Sequence, residues 1–307
     1  MRHVSISVLA ALLPAACCLV ALAPSSANAQ PEPTPLAEAD LPIENLIDAP
    51  PRVYHLRLFA LTEKPAPDGA DGQTFSISPQ EVGKLSVATR RWEGGEGLEL
   101  IDRLDAHLGS RTVTRLAQSR PNPLLTPTRV RIESGEDQAD GETAVIRAVL
   151  DGNRMEVDPP DPPDTPDTPD TPDEAAKTRR HDWPPGTLTL SALIRIAPLL
   201  PREPDTAFSV DGFVELFEFE PATPPAGDTF VIRTAGSQTL DIGRRTYRCT
   251  IFLLDLREAQ QNVRLWVDRE GVLRQFVVGQ QLRATLGEPG PIQEDPIYNQ
   301  LLEELGQ

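Results

Sequence analysis

Hydrophobic and polar residues alternate along most of the chain from about residue 52, which is the pattern of half-buried β-strands. In the first predicted strand Tyr54 and Leu56 fall on one side, and His55 and Arg57 fall on the other. Further strands are predicted over 83–91, 128–133, 143–150, 154–157, 213–219, 229–234, 245–256, 263–268 and 272–278. About ten strands with short connections and no alternation of strand and helix predict an antiparallel meander.

The stretch around Leu100 fits the periodicity of a helix and that of a strand. Leu100, Leu104 and Leu108 are spaced by four residues, as on one side of a helix. The same leucines also share one side of a strand, with Glu99 on the other, and the β-branched run 112–114 follows soon after. We predict a β-hairpin here and keep a helix as the alternative.

A central segment has clear helical spacing. Leu190, Leu193 and Ile194 follow the i, i+3, i+4 pattern, and either Thr187 or Thr189 is available as the N-cap. A sheet that buries one face must curve around a second layer, and this helix is the natural filler. The sequence therefore predicts a mainly β fold, a curved antiparallel meander or half-barrel wrapped around one central helix.

The first 29 residues predict an export signal. An apolar run covers residues 6–20, and Ala27-Asn28-Ala29 places small side chains where a signal peptidase cleaves. The alternatives are a membrane anchor, for which the run is short, and a lipoprotein modified at Cys17 or Cys18. We expect cleavage after Ala29, no integral membrane span afterwards, and a periplasmic or extracellular location.

The composition along the rest of the chain predicts its domain organisation. Residues 30–51 are rich in proline and indicate an extended leader. A single half-barrel domain is predicted over 52–287, interrupted by a disordered acidic insertion at 158–178. The C-terminal tail, 288–307, is expected to carry one short helix with apolar positions Ile297, Leu301 and Leu305.

Aspartates repeat at every third residue of the acidic insertion. They are Asp158, Asp161, Asp164, Asp167, Asp170 and Asp173. Polyproline II has three residues per turn and rises about 3.1 Å per residue, so neighbouring carboxylates stand about 9 Å apart. Since calcium needs several oxygens at about 2.3–2.6 Å, the repeat predicts a solvated spacer rather than a metal site. The alternatives are an acidic ribbon for a cationic surface, or modification at Thr165, Thr168 and Thr171.

Charge and motifs exclude several classes of function. The net charge is −17, and it becomes −18 once the export signal, which contains Arg2, is cleaved off. Nucleic acid and anionic membranes are therefore poor partners for this acidic chain. The sequence contains no HxH, HExxH, CxxC, GxSxG or phosphate-loop motif. We therefore expect no catalytic residue, no metal and no cofactor, and a protein that is not an enzyme. Cys249, the single thiol after cleavage, is predicted to be a buried apolar residue.

Four short motifs resemble those of uncharacterised periplasmic half-barrel domains with lipoprotein-carrier (LolA/LolB-like) architecture. They are Val82-Gly83-Lys84-Leu85-Ser86-Val87, Leu125-Thr126-Pro127-Thr128-Arg129-Val130, Trp183-Pro184-Pro185-Gly186-Thr187-Leu188, and Leu265-Trp266-Val267-Asp268 with Gly271-Val272-Leu273. The resemblance covers about residues 52–287. It implies a curved sheet around a helix with an apolar concave side, which holds lipoprotein acyl chains in the best-understood relatives.

Two functions are compatible with this picture. The first is a non-enzymatic envelope module that binds an apolar or lipid-like ligand, or a client protein, through Leu190, Leu193, Ile194, Trp92 and Trp266. The alternative is a structural or interaction protein of the envelope, whose barrel is filled by side chains and holds no small-molecule ligand.

Overall fold

A computed structural model describes fourteen segments of the chain. They are residues 32–47, 49–64, 74–93, 97–106, 110–118, 122–136, 143–151, 154–158, 179–183, 186–204, 206–214, 229–256, 261–279 and 282–287. By its contacts the chain divides into Met1–Gln30 and Pro31–Gln307, and every described residue belongs to the second unit. The predicted export signal, nearly all of the acidic insertion and the predicted C-terminal helix lie outside the described residues.

Strands dominate the described residues. In chain order they are β1 (Thr34–Pro35), β2 (Arg52–Lys64), β3 (Thr74–Arg91), β4 (Leu98–Ala106), β5 (Ser110–Gln118), β6 (Arg129–Glu136), β7 (Thr143–Asp151), β8 (Arg154–Asp158), β9 (Arg179–Asp182), β10 (Thr187–Thr189), β11 (Ala207–Val210), β12 (Gly212–Val214), β13 (Phe230–Ile242), β14 (Arg245–Leu256), β15 (Gln261–Asp268), β16 (Leu273–Val278) and β17 (Leu282–Leu286). One α-helix, α1 (Leu190–Ile196), and three 3-10 helices, Leu36–Glu38, Ile43–Leu46 and Ala197–Leu199, complete the described elements.

Fifteen of these strands form one sheet. Their order is β1-β11-β13-β14-β15-β16-β17-β2-β3-β4-β5-β6-β7-β8-β9. Strand β17 pairs with β2, so the strands before and after the acidic insertion belong to a single sheet, as predicted. Within the described residues the sheet stays open, with β1 and β9 at its edges. The predicted mainly β, curved antiparallel meander around a helix is confirmed.

The ambiguous leucine stretch is a strand. Strand β4 pairs in antiparallel register with β5, for example Leu100 with Leu116, which confirms the hairpin over the helical alternative. Pairing with β3 on the other side fixes β4 inside the sheet. Long-range pairing on both sides therefore decides a segment whose leucine spacing alone fits a helix as well.

Two short strand pairs are parallel, which corrects the purely antiparallel prediction. Strand β1 pairs with β11, and β10 pairs with β12 in a separate two-stranded sheet that flanks α1. Gly186 precedes β10 with φ +83°, and a side chain there would overlap the carboxylate of Asp211. Only glycine therefore suits this close approach.

The prediction of an extended leader over 30–51 is wrong for two of its segments. Leu36–Glu38 and Ile43–Leu46 are 3-10 helices, and the side chains of Leu36, Ile43 and Leu46 are buried. All three side chains belong to the main hydrophobic cluster. The apolar residues between the prolines pack this stretch against the core. The number of prolines in a segment does not show such packing.

Helix α1 occupies the interior. Thr189 is its N-cap, since its Oγ1 accepts a hydrogen bond from the Ala192 amide at 3.0 Å, and a 3-10 turn that contains Pro198 follows. All seven residues of the helix are buried. Its apolar side chains belong to the inner cluster, the main hydrophobic cluster, which joins strands from both halves of the sheet.

A second apolar cluster lies on the opposite face of the sheet. This outer cluster consists of Phe59, Leu240, Ile242, Cys249, Trp266 and Val277. Along β15 the side chains of Leu265 and Val267 belong to the inner cluster, whereas Trp266 between them belongs to the outer one. Strands β13, β14, β15, β16 and β2 therefore bury apolar side chains on both faces.

Candidate functional site

The last turn of α1 carries a buried ion pair. The Arg195 guanidinium lies 2.8 Å, Nη2 to Oδ1, from Asp102 of β4, and the two side chains are 3% and 1% exposed. All seven residues of α1 are buried, so its one charged residue, Arg195, needs a partner of opposite charge in the interior. The pair ties α1 to the sheet.

Arg195 also binds two neighbouring strands. Its Nε donates to Thr89 Oγ1 at 2.9 Å, and its Nη2 donates to the carbonyls of Ala88 at 2.6 Å and Ile101 at 3.2 Å. Its Nη1 donates to the carbonyl and the hydroxyl of Ser191, both at 2.9 Å. The guanidinium is thus held by β3, β4 and its own helix.

The carboxylate of Asp102 is less well satisfied. Both of its oxygens are buried and neither accepts a hydrogen bond of good geometry within the described residues. Since the two hydrogens on Arg195 Nη2 point at backbone carbonyls, the 2.8 Å contact acts by charge rather than by an aligned hydrogen bond. Asp102 therefore serves to neutralise Arg195.

A cleft of about 150 Å³ opens beside this pair. Ile194 and Arg195 of the helix, Arg52 and Tyr54 of β2, and Ala49 from the segment before β2 all contribute to its wall. The wall of the cleft thus includes apolar residues together with Arg52, Arg195 and Tyr54.

Tyr54 of the cleft wall is buried and held by its neighbours. Its hydroxyl donates to the Leu273 carbonyl at 3.2 Å, and its ring packs edge-on against Phe276 with centroids 5.5 Å apart. Burial raises the pKa of Tyr54, although the neighbouring Arg52 guanidinium partly offsets that rise. The phenol therefore stays protonated at neutral pH and acts as a neutral polar group.

Among the predicted site residues, only the helical ones lie together. Leu190 and Leu193 are fully buried in the inner cluster, and Ile194 is 1% exposed. Of these three, Ile194 lines the cleft. Leu190 and Leu193 therefore contribute to the packing that holds α1 in place.

The two predicted tryptophans lie apart from the helix and from each other. Trp266 belongs to the outer cluster and donates from Nε1 to Gln238 Oε1 at 3.0 Å. Trp92 is half-buried after β3, with the Arg129 guanidinium 5.6 Å from its ring centroid. Trp266 faces the side of the sheet opposite α1, so a site common to it and the helix does not form.

Sequence reasoning did not identify Asp102, Arg195, Arg52 or Tyr54 as site residues. A signal existed for the ion pair, because Asp102 is in phase with the buried Leu100 on β4. Arg195 likewise stands between apolar residues of a helix. The cleft had no such signal, because its walls come from segments far apart in the chain.

The described residues show neither a cluster of metal ligands nor a membrane-spanning helix. Within these segments no three His, Cys, Asp or Glu side chains converge as metal ligands would. Nor does any described helix have the length and apolar character that crossing a membrane requires.

Comparison with solved structures gives a likeness in fold. No protein-family model matches the chain, and no curated protein matches it. The crystal structure of a beta-barrel-like protein of the domain of unknown function DUF1849, from Brucella abortus, is similar with a TM-score of 0.38 and 12% identity. The match covers 78% of this chain and 95% of that chain. No residue of the cleft is assigned from it.

Proposed function

We propose that the protein is an exported, non-enzymatic binding module of the cell envelope that binds a client through the cleft beside α1. The observation that carries this proposal is the cleft itself, an apolar recess next to two guanidinium groups. The client group that fits is a small apolar side chain with an adjacent carboxylate, such as the C-terminal residue of a protein.

The size of the cleft supports a small group over a lipid chain. Its volume is about 150 Å³, and a cavity of about this size in another protein accommodates benzene. Sites for larger ligands usually enclose about 300–1,000 Å³. The cleft therefore suits one side chain or one ring.

The charges at the cleft favour an anion. Asp102 neutralises Arg195, whereas no carboxylate of the described residues pairs with Arg52. Within the described residues Arg52 therefore places a positive charge beside Tyr54 that no carboxylate balances, in a chain that is strongly acidic overall. A guanidinium next to an apolar wall is suited to a carboxylate on an apolar group.

Two probes of equal size and opposite charge test this proposal. Residues 30–307 are titrated with benzoate and with benzylamine while the backbone amide signals of Ala49 and Ala88 are followed by NMR. We expect saturable shifts with benzoate and none with benzylamine. Arg52→Gln should weaken benzoate binding about tenfold, because it removes a charge-assisted hydrogen bond.

Matched variants separate the cleft from the rest of the surface. Ala49→Leu fills the cleft and should abolish benzoate binding, whereas Ala207→Leu on β11, outside the cleft, should leave it unchanged. Equal binding of both probes, or binding that Ala49→Leu does not affect, would contradict the proposal.

A second candidate is an interaction protein of the envelope with no small-molecule ligand. The observation that favours it is the burial of all seven residues of α1, which fill the side that would hold an acyl chain in a carrier. The absence of benzoate binding in a folded protein would leave this candidate as the better account. The lipid ligand suggested by the resemblance to lipoprotein carriers has less support than either.

A further inference from the structure

Part of the outer face of the sheet, between β13 and β2, is shielded from solvent. Phe59 is 0% exposed, Trp266 3% and Val277 3%, although all three lie on the face opposite α1. Polar residues on the same face, Gln275 and Thr285, are also buried. A solvated sheet face would leave such side chains open to water.

The described helices all pack on the other face. The buried residues of the three 3-10 helices and the apolar residues of α1 belong to the inner cluster. Among the described elements, only strands of the sheet contribute to the outer cluster. A cover for that cluster must therefore come from elsewhere.

The chain leaves the described region beside the outer cluster. Gly287 follows β17, and a methyl group placed on it would lie 4.0 Å from Ile242 Cγ2. The twenty residues after it carry Ile297, Leu301 and Leu305 at a spacing of four, the pattern of one apolar helix face.

We propose that residues 288–307, the C-terminal segment, dock on the outer cluster through Ile297, Leu301 and Leu305. A helix over 296–307 would be about 18 Å long. The strands from β13 to β2 span about 24 Å at about 4.8 Å per strand, so the helix matches most of that width. This inference is independent of the cleft.

The reactivity of Cys249 reports whether the outer cluster is covered. This residue is 1% exposed within the outer cluster and is the single thiol of residues 30–307. Its burial, with a smaller effect from the nearby Asp268 carboxylate, raises the pKa of the thiol to about 11. Uncovering Cys249 would increase both its access to reagent and its thiolate fraction.

The test compares two charge substitutions on the segment in residues 30–307. Leu301→Asp places a carboxylate on the apolar face, and Asn299→Asp places the same charge on the opposite face. Reaction of Cys249 with Ellman's reagent at about pH 8 should accelerate roughly 10- to 100-fold in Leu301→Asp, given the thiolate gained on exposure. It should stay at the parent rate in Asn299→Asp.

Circular dichroism and native mass spectrometry complete the design. A Leu301→Asp protein that keeps its sheet signal and reacts at the parent rate would overturn the proposal. A Leu301→Asp protein that is a dimer and reacts at the parent rate would also overturn it, because a second copy of the chain would then cover the outer cluster. Acceleration in both variants alike would also overturn it, since the effect would not depend on the apolar face.

Discussion

Two strands from different halves of the sheet are buried differently. Strand β8, before the acidic insertion, alternates between exposed Arg154 and Glu156 and buried Met155 and Val157. In β15, after the insertion, Leu265 to Asp268 are buried without interruption. Strand β8 thus has one buried face, and β15 has two.

This difference shows what alternation can and cannot reveal. A strand with one buried face alternates in sequence, whereas a strand buried on both faces has a near-continuous apolar run. Strand β16 fits the second description, with Phe276 and Val277 in opposite clusters. A run such as Leu265-Trp266-Val267 thus indicates a second covering layer as well as a strand.

The largest expected effect concerns the buried ion pair between Asp102 and Arg195. Asp102→Ala leaves Arg195 buried without its counter-charge and should lower the free energy of unfolding by about 3–5 kcal/mol in urea titrations. Asp105→Ala removes a carboxylate whose partner Arg103 is 43% exposed, and it should cost about 0–1 kcal/mol.

A double variant separates the pair's charge from its packing. Asp102→Leu combined with Arg195→Met should recover most of the loss, because an apolar pair of similar volume avoids the desolvation cost. A loss below about 1 kcal/mol for Asp102→Ala would show that the pair does not anchor α1.

The next prediction asks whether the outer cluster is a true interior. Phe59→Ala in the outer cluster should cost about as much as Phe252→Ala in the inner cluster, about 3–5 kcal/mol each. Arg131→Ala, on the exposed side of β6, should cost no more than about 1 kcal/mol. If Phe59→Ala behaved like Arg131→Ala in urea unfolding, the outer cluster would not be a second buried layer.

The smallest effect is a pH dependence from the same cluster. Burial raises the pKa of the Cys249 thiol from 9.0 to about 11, so the folded chain holds this proton at a pH where the unfolded chain has lost it. The resulting stability is complete below about pH 9 and is lost as the pH rises towards 11. At most it corresponds to about 100-fold in the unfolding constant.

Cys249→Ala isolates this contribution. Over pH 9–11 the variant should lose less stability than the parent, as measured by urea unfolding at each pH. Tyr54, whose pKa is also raised, remains in both proteins and cancels in the difference. Parallel pH profiles would mean that the thiol is not shielded as the structure places it.

Local patterns predicted much of this fold. The spacing of Leu190, Leu193 and Ile194, with a Thr cap, placed α1, and alternation placed the strands of the meander. The short strands β1, β9, β10, β11 and β17 were not predicted, because two to five residues carry no measurable period.

The candidate site was harder to predict for a physical reason. Asp102 could have been found, since a carboxylate in phase with buried leucines needs a cation in the interior. The cleft could not, because Ala49, Tyr54 and Arg195 meet only once the sheet has wrapped the helix. Trp92 and Trp266 were chosen for their residue type, which does not show which face of the sheet they occupy.

The central claim is that α1, rather than a lipid chain, occupies the concave side. Native mass spectrometry of residues 30–307 isolated from the organism that produces them, followed by organic extraction, tests it most directly. The account predicts the mass of the bare chain, with no gain when lipid mixtures are added. A discrete lipid-like mass that co-purifies and is lost on denaturation would contradict it.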